Sequence, residues 1–369
     1  MTRHPIPTPQ PRRAPPTPPG GVAPSPIAAR LADCRFGAPL AHRTLVMLPV
    51  LADDERQEAP YLLLDDAMAA GRVAVTEVGA GGSVPELALA NLAGLPVLLL
   101  DGEELVGAKQ NRILNLTVLA PPLAVTKIPV SCVEAGRWSS VSARFASGGR
   151  THFASGRARK AADVTASMRR EGHRRGDQGA VWQGIAEKSA RMGVRSATGA
   201  AAALYEDRHE ALERFVGAIP AQPDQCGAVF VIDGRVAGLD LFDHPRTFAK
   251  ALPKLLRGYA LDALDAQQTA AHGRQDADRT ALPSEAGRPA PGPDGLGAVH
   301  VEVLRFLGRI ARAAASSHAA VGQGQDWRLA DGGVAGGALV ADGRVVHLCA
   351  FPVAEAARGM DPAEDRVRM

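Results

Sequence analysis

The 369 residues carry 46% apolar and 22% charged side chains and a formal net charge of +3. These proportions exclude fibrous, collagen-like and wholly disordered chains, and so small a charge gives no ground for a globally basic nucleic-acid binder. The four cysteines, Cys34, Cys132, Cys226 and Cys349, are widely spaced with no C-x-x-C pair, so zinc-finger spacing and a disulfide framework are unsupported and free thiols are expected.

Residues 1–26 hold ten prolines with scattered arginines, a composition that predicts a disordered tail, either simply solvated or a ligand for an SH3-like partner. Order is expected from near Ile27, with a main domain over 27–266. Within it TLVMLPVLA (Thr44 to Ala52) reads as a strand, YLLLDDAMAAG ending at Gly71 as a short helix, and RVAVTEV as an alternating strand. Ser83 and Glu86 have capping-box spacing, but Leu87 and Leu89 alternate with small residues, and the stretch to Asn91 is read as a strand.

Asp-Gly stands between apolar runs at Asp101-Gly102, Asp233-Gly234 and Asp342-Gly343, predicting three hairpins with two-residue turns. The last two share further residues, GAVFVIDGRVAGL against GALVADGRVVHL, and hint at an internal duplication. Apolar spacing of 3.6 predicts a helix over about 200–219 and another through Phe248 and Tyr259 that kinks or restarts at Pro253. Residues 267–297 lose periodicity and read as a flexible linker or insertion. A helix and hairpin over 298–355 should pack on the main domain, and 356–369 reads as a tail. The fold class is α+β, a mainly antiparallel sheet of β-hairpins covered by amphipathic helices.

Function is sought in DGEELVGAKQNRILN, where carboxylates, cations and amides interrupt apolar strands. With a two-residue turn at Asp101-Gly102, Glu103 and Glu104 face opposite sides of the sheet, so they form no carboxylate dyad, and Lys109 and Arg112 are the nearest partners for whichever is buried. Each glutamate is either a base or hydroxyl acceptor, or half of a structural ion pair. Lys109, Gln110, Asn111, Arg112 and Asn115 suit phosphate or carboxylate recognition, guanidinium binding bidentately and amides orienting; the alternative is a polar turn at the sheet rim. If the strand through Glu134 pairs with Ile113 to Leu119, Arg137 and Trp138 emerge at the same end, where the indole either stacks on a base or sugar or is plain edge packing. Cys132 reads as a nucleophile or as an inert buried thiol.

Residues 144–175 hold eight arginines and Lys160 against Asp163 and Glu171, a local excess of +7. That run reads as a mobile solvated loop, a lid over an anion site, or an RNA contact. No Walker loop, GxGxxG after a strand, HExxH or GxSxG is present. No cofactor is evident; a Mg²⁺ ion shared by Glu103 or Glu104 and ligand phosphates is compatible with the residues. No apolar run reaches the ~18 residues that span a bilayer, so a cytoplasmic location without a membrane partner is expected.

The blocks GGSVPEL, PVLLLDGEELVGAKQNRILN, IPVSCVEAGRW, DQGAVW and FAKALPKLLRGYALDAL resemble the ARG and rhodanese-phosphatase-superfamily-associated domain family over most of Ala41 to Leu264 and again, weakly, in the final hairpin, with the proline-rich head and the insertion before Gly297 outside it. That resemblance implies a role near ADP-ribosylglycohydrolases and rhodanese-like phosphatases, hence near NAD-derived or ADP-ribose metabolism, and brings no catalytic residues with it. The leading expectation is a protein that binds, and processes if it is an enzyme, a phosphate-bearing nucleotide derivative as a hydrolase or transferase. The competing one is a non-catalytic module that recruits a partner enzyme.

Overall fold

The computed structural model describes residues 25–52, 58–79, 81–278 and 293–353, without the side chains of 272–296 and 298. The chain opens with α1 (Pro26–Ala32), capped by Ser25, then β1 (Arg35–Phe36), β2 (Leu40–His42) and β3 (Leu45–Leu51). It next leaves that sheet for β4 (Leu62–Leu63), α2 (Leu64–Ala69), β5 (Val73–Glu77), β6 (Glu86–Asn91) and β7 (Val97–Leu99). There follow β8 (Glu103–Gly107), β9 (Arg112–Leu114), β10 (Val118–Ala120), β11 (Ala124–Cys132) and β12 (Phe145–Thr151). Four helices succeed them: α3 (Ala154–Glu171), α4 (Gln178–Met192), α5 (Ala202–Asp207) and α6 (His209–Ala218). The chain then returns with β13 (Gln225–Ile232), β14 (Arg235–Phe242) and α7 (Pro245–Asp278). It closes with α8 (Pro293–Arg312), β15 (Ala315–Ala319), β16 (Gln325–Asp331), β17 (Val334–Ala341) and β18 (Arg344–Pro352).

The nine-stranded antiparallel sheet runs β1-β3-β13-β14-β18-β17-β16-β15, with β2 also on β3. Everything from β4 to α6 is therefore an insertion between the neighbours β3 and β13. The insertion carries a six-stranded sheet, β12-β8-β9-β11-β6-β5, and a three-stranded one, β10-β7-β4, whose β4–β7 pair is parallel. One face of the large sheet is covered by α1 and α8 through Ile27, Val303, Phe306 and Ile310. The other packs Phe230, Phe242 and Phe351 against α4 to α7, and α3 crosses the β14, β16, β17 and β18 side of it. The fold is thus α+β and mostly antiparallel.

Two of the three expected hairpins form. Asp233 and Gly234 have φ of 49° and 77°, Asp342 and Gly343 49° and 73°, the two positive dihedrals a type I′ turn requires. Both hairpins carry a register shift three residues before the turn Asp, at Phe230 and Leu339, and they lie side by side through β14 and β18. Asp240 and Cys349, each six residues past its turn glycine, face one another in that pairing.

The third expectation fails. At Asp101-Gly102 only Gly102 has positive φ, 74°, and Glu103 N donates to Leu100 O at 3.1 Å. The turn is tight, but β7 pairs with β10 and β8 with β9 and β12, so it passes the chain between sheets. Three helical readings also change. The expected helix 200–219 is two, broken at Arg208; α7 runs unbroken through Pro253; and 267–278, read as linker, continue α7. Residues 293–297 of that linker belong to α8. Residues 279–292, 1–24 of the expected head and 356–369 of the expected tail lie outside the described residues. No helix among the described residues is long and apolar enough to cross a membrane.

Candidate functional site

Arg112 stands in a cross-strand row with Leu105 on β8 and Cys132 on β11, so its flanking side chains are an alkyl group and a thiol. It is fully buried. Its Nη1 donates to Gln110 Oε1 at 2.8 Å, while Nε and Nη2 have no partner among the described residues. Burial pulls its pKa below the ordinary value, with Cys132 and Glu77 opposing. Burial likewise pushes the Cys132 thiol up, which removes the thiolate a nucleophile would need. Gln178, the first residue of α4, accepts from Cys132 N and donates to Cys132 O, both at 2.8 Å, and so takes the place of a further strand.

The turn before Arg112 is held from below. Asn111 Oδ1 accepts from Gly107 N and from Arg137 Nη2, both at 3.1 Å, and Gln110 Nε2 donates to Glu134 O at 2.9 Å. Glu134 takes Arg137 Nη2 at 2.6 Å, Thr198 Oγ1 at 2.8 Å and Asn111 N at 3.2 Å. Burial pushes that carboxylate's pKa up, but these hydrogen bonds outweigh it and hold the group below its usual range. Trp138 then projects 48% exposed, its ring centroid 5.6 Å from Arg112 Cζ and 5.3 Å from Lys109 Nζ. Lys109 Nζ reaches Gly81 O at 2.5 Å and its N–H reaches Glu77 Oε1 at 3.3 Å. The other oxygen of Glu77 is buried without a partner. The arrangement is a rigid cradle with one underused guanidinium, an ammonium and an aromatic face.

Lys109, Gln110, Asn111, Arg112, Arg137 and Trp138 are therefore brought together, and three other expected residues are not. Glu103 pairs with Lys254, which also holds Asp65 at 2.6 Å, and accepts from Leu100 N at 2.9 Å; burial raises its pKa. Glu104 pairs with Arg150, leaving Oε1 buried and unpartnered. The expectation that Lys109 or Arg112 would neutralise these glutamates is thus corrected, because β8 pairs along its other edge with β12, which brings Arg150 across. Asn115 accepts from Ser131 Oγ at 2.7 Å and donates to Arg174 O at 3.0 Å, away from the cradle. Sequence reading missed Glu134, Gln178 and Glu77; the DQGAVW block held Gln178, but nothing in it told which strand it would close.

The basic run 144–175 is the largest correction. It is neither loop nor lid: β12 and the 18-residue α3 occupy it, and Arg157 and Lys160 are fully buried. Arg157 binds Asp240 through both Nη atoms at 2.7 and 3.0 Å and Asp101 through Nε at 3.3 Å. Lys160 Nζ takes Asp101 Oδ2 at 2.7 Å and two carbonyls, of Leu114 and Asn115. Asp240 also accepts from Tyr259 OH at 2.8 Å and lies 3.2 Å from His347 Nε2, whose Nδ1 is 2.7 Å from Thr117 Oγ1. This network is saturated and joins insertion to sheet.

Residues 33–351 match the family described as the ARG and Rhodanese-Phosphatase-superfamily-associated Protein domain. The chain belongs to that family. The match takes in both halves of the large sheet as well as the insertion, so the Arg112 cradle and the Arg157 network fall inside the family domain, while the proline-rich head, residues 1–26, precedes it. No curated protein and no solved structure matches the chain. Among the described residues of this family member no group of three His, Cys, Asp or Glu is arranged to hold a metal ion.

Proposed function

We propose that the cradle around Arg112 binds a phosphate-bearing nucleotide derivative. The observation that carries this reading is the pair of unpartnered nitrogens, Nε and Nη2, on a fully buried guanidinium. Leaving a buried charged donor unsatisfied costs about 1–3 kcal/mol or more, a cost that an arriving oxyanion removes. Phosphate suits the site because guanidinium engages two oxygens at once and Lys109 adds a second positive charge beside it. The half-exposed Trp138 supplies a face on which a base could stack. The family's description, which pairs it with ARG, the ADP-ribosylglycohydrolases, and with the rhodanese-phosphatase superfamily, supports a ligand related to NAD or ADP-ribose. Glu103 and Glu104 lie outside this site in the reading, so binding is proposed and no reaction is assigned.

The test is a thermal-shift screen against NAD, ADP-ribose, AMP, ribose phosphates and inorganic phosphate, on the wild type and on Arg112→Met and Trp138→Ala. At a hundred times its dissociation constant a ligand adds about 2.7 kcal/mol to stability. Arg112→Met should abolish the shift, and Trp138→Ala should weaken it for nucleotides more than for inorganic phosphate. If none of these compounds moves the wild-type midpoint, the site binds no such ligand and the partner-recruiting role remains.

A further inference from the structure

A cavity of about 520 Å³ opens beside β12 and α5–α6 and shares no residue with the Arg112 cradle. Its wall is an irregularity in the β8–β12 pairing. Ser147 pairs with Leu105 and Thr151 with Glu103, so four steps along β12 match two along β8 and two extra residues bulge out. Such bulges re-aim side chains, and this one turns Arg150 onto Glu104 and into the cavity lining. Arg150 is held on two sides, Nε on Glu104 and the Tyr205 ring 4.8 Å from its Cζ; burial works to lower its pKa, but Glu104 outweighs it and the pKa is raised. No hydrogen bond from its Nη atoms is made among the described residues. Glu104 Oε1, buried behind the same wall, is also unpartnered. Across the cavity Arg257 is chelated by Glu213 at 2.7 and 3.2 Å and gives its remaining Nη to Gly149 O at 2.7 Å.

We propose that this cavity is a binding site for a free α-amino acid, whose carboxylate takes the open edge of Arg150, whose ammonium takes Glu206, and whose side chain lies against Tyr205 and Leu212. The charge pattern selects that class. Three carboxylates, Glu104, Glu206 and Glu213, stand against two guanidiniums that are both already engaged, which disfavours a polyanion such as a nucleotide. A simple cation would leave the Arg150 edge unpaired. A carboxylate with an ammonium one carbon away satisfies both, because Glu206 and Arg150 line the same cavity. The cavity lies within the size range of small-molecule sites.

The test measures thermal shift and calorimetric binding of the full chain with each L-amino acid, and with the N-acetyl and carboxamide forms of any that binds. The expected result is binding by at least one free amino acid, at least tenfold weaker in both blocked forms, at least tenfold weaker in Glu206→Gln, and undisturbed by saturating inorganic phosphate. Arg150→Lys keeps the pairing with Glu104 but loses the open edge and should weaken binding in the same way. Should that variant fold poorly, His209→Trp, at the exposed mouth, should block entry without touching the buried pair. Binding by no free amino acid, or equal binding by the blocked forms, overturns the proposal.

Discussion

Arg112 and Arg157 are both fully buried guanidiniums, and they differ in what surrounds them. Arg157 has every edge engaged, chiefly by Asp240, which raises its pKa against burial and holds that of Asp240 at about 2. Arg112 has two donors idle. Removing one partner of a buried pair costs about 3–5 kcal/mol, whereas replacing a whole buried ion pair by apolar side chains is neutral or stabilising by about 1–4 kcal/mol; Arg112, bonded to Gln110 and in no ion pair among the described residues, leaves no opposite charge stranded when it is replaced. Urea denaturation should therefore show Asp240→Asn strongly destabilised and Arg112→Met no less stable than wild type. A loss of several kcal/mol in Arg112→Met would make Arg112 structural. His152 offers a pH test: burial first, then Lys160, Lys188 and Arg157, depress its pKa from 6.5 to about 3. The folded state thus holds it neutral while the unfolded state takes up a proton below about pH 6.5, so its contribution is complete above that value and is lost as pH falls towards 3. The slope it adds is about 1.4 kcal/mol per pH unit, and His152→Leu should remove that slope between pH 6 and 4. At this scale the polar run 109–112 was legible because polar side chains interrupt apolar strands. Asp101 was not, since an Asp before Gly looks like turn chemistry until its distant cations are placed.

α3 shows why one element escaped sequence reading. Its inward positions Ala154, Arg157, Ala161, Val164 and Met168 recur at helical spacing, yet one of them is an arginine, and Lys160 beside it is buried too. A hydrophobic periodicity test scores such a stripe as solvated surface, because the acids that make it buriable, Asp101 and Asp240, lie far off in sequence. The hairpins at 233–234 and 342–343 were legible for the opposite reason: a type I′ turn is decided by its own two residues. Helix α7 illustrates how packing overrides propensity. Gly258 would ordinarily gain up to about 1 kcal/mol on replacement by Ala in a helix. A Cβ there would lie 2.6 Å from Thr151 Oγ1 and 2.9 Å from the carbonyl oxygen of His152, and backbone cannot swing aside. Gly258→Ala should instead lose about 1–3 kcal/mol, read as a lowered urea midpoint; a raised midpoint would show that α7 and β12 are free to separate.

At the scale of the whole molecule, an inserted unit of strands and helices is clasped to a sheet whose two halves repeat one another's hairpin, bulge and turn. The clasp is polar: Arg157 and Lys160 on α3 tie Asp101 of the insertion to Asp240 at the junction of the two halves. The shared likeness of the two hairpins was visible in the sequence, but the interruption between β3 and β13 was not, since nothing local marks Leu51 and Gln225 as neighbours. If the clasp couples the parts, they unfold together. Trp138 and Trp182 report the insertion and Trp327 the large sheet, on β16, so three variants that each keep a single tryptophan read both regions. Their urea transitions, followed by fluorescence, should coincide, as two-state behaviour requires, and Asp240→Asn should move all three midpoints down together because it acts at the shared junction. A Trp327 transition separate from the other two would mean that the sheet stands without its insertion, and that the buried charges orient the two parts without coupling their stability.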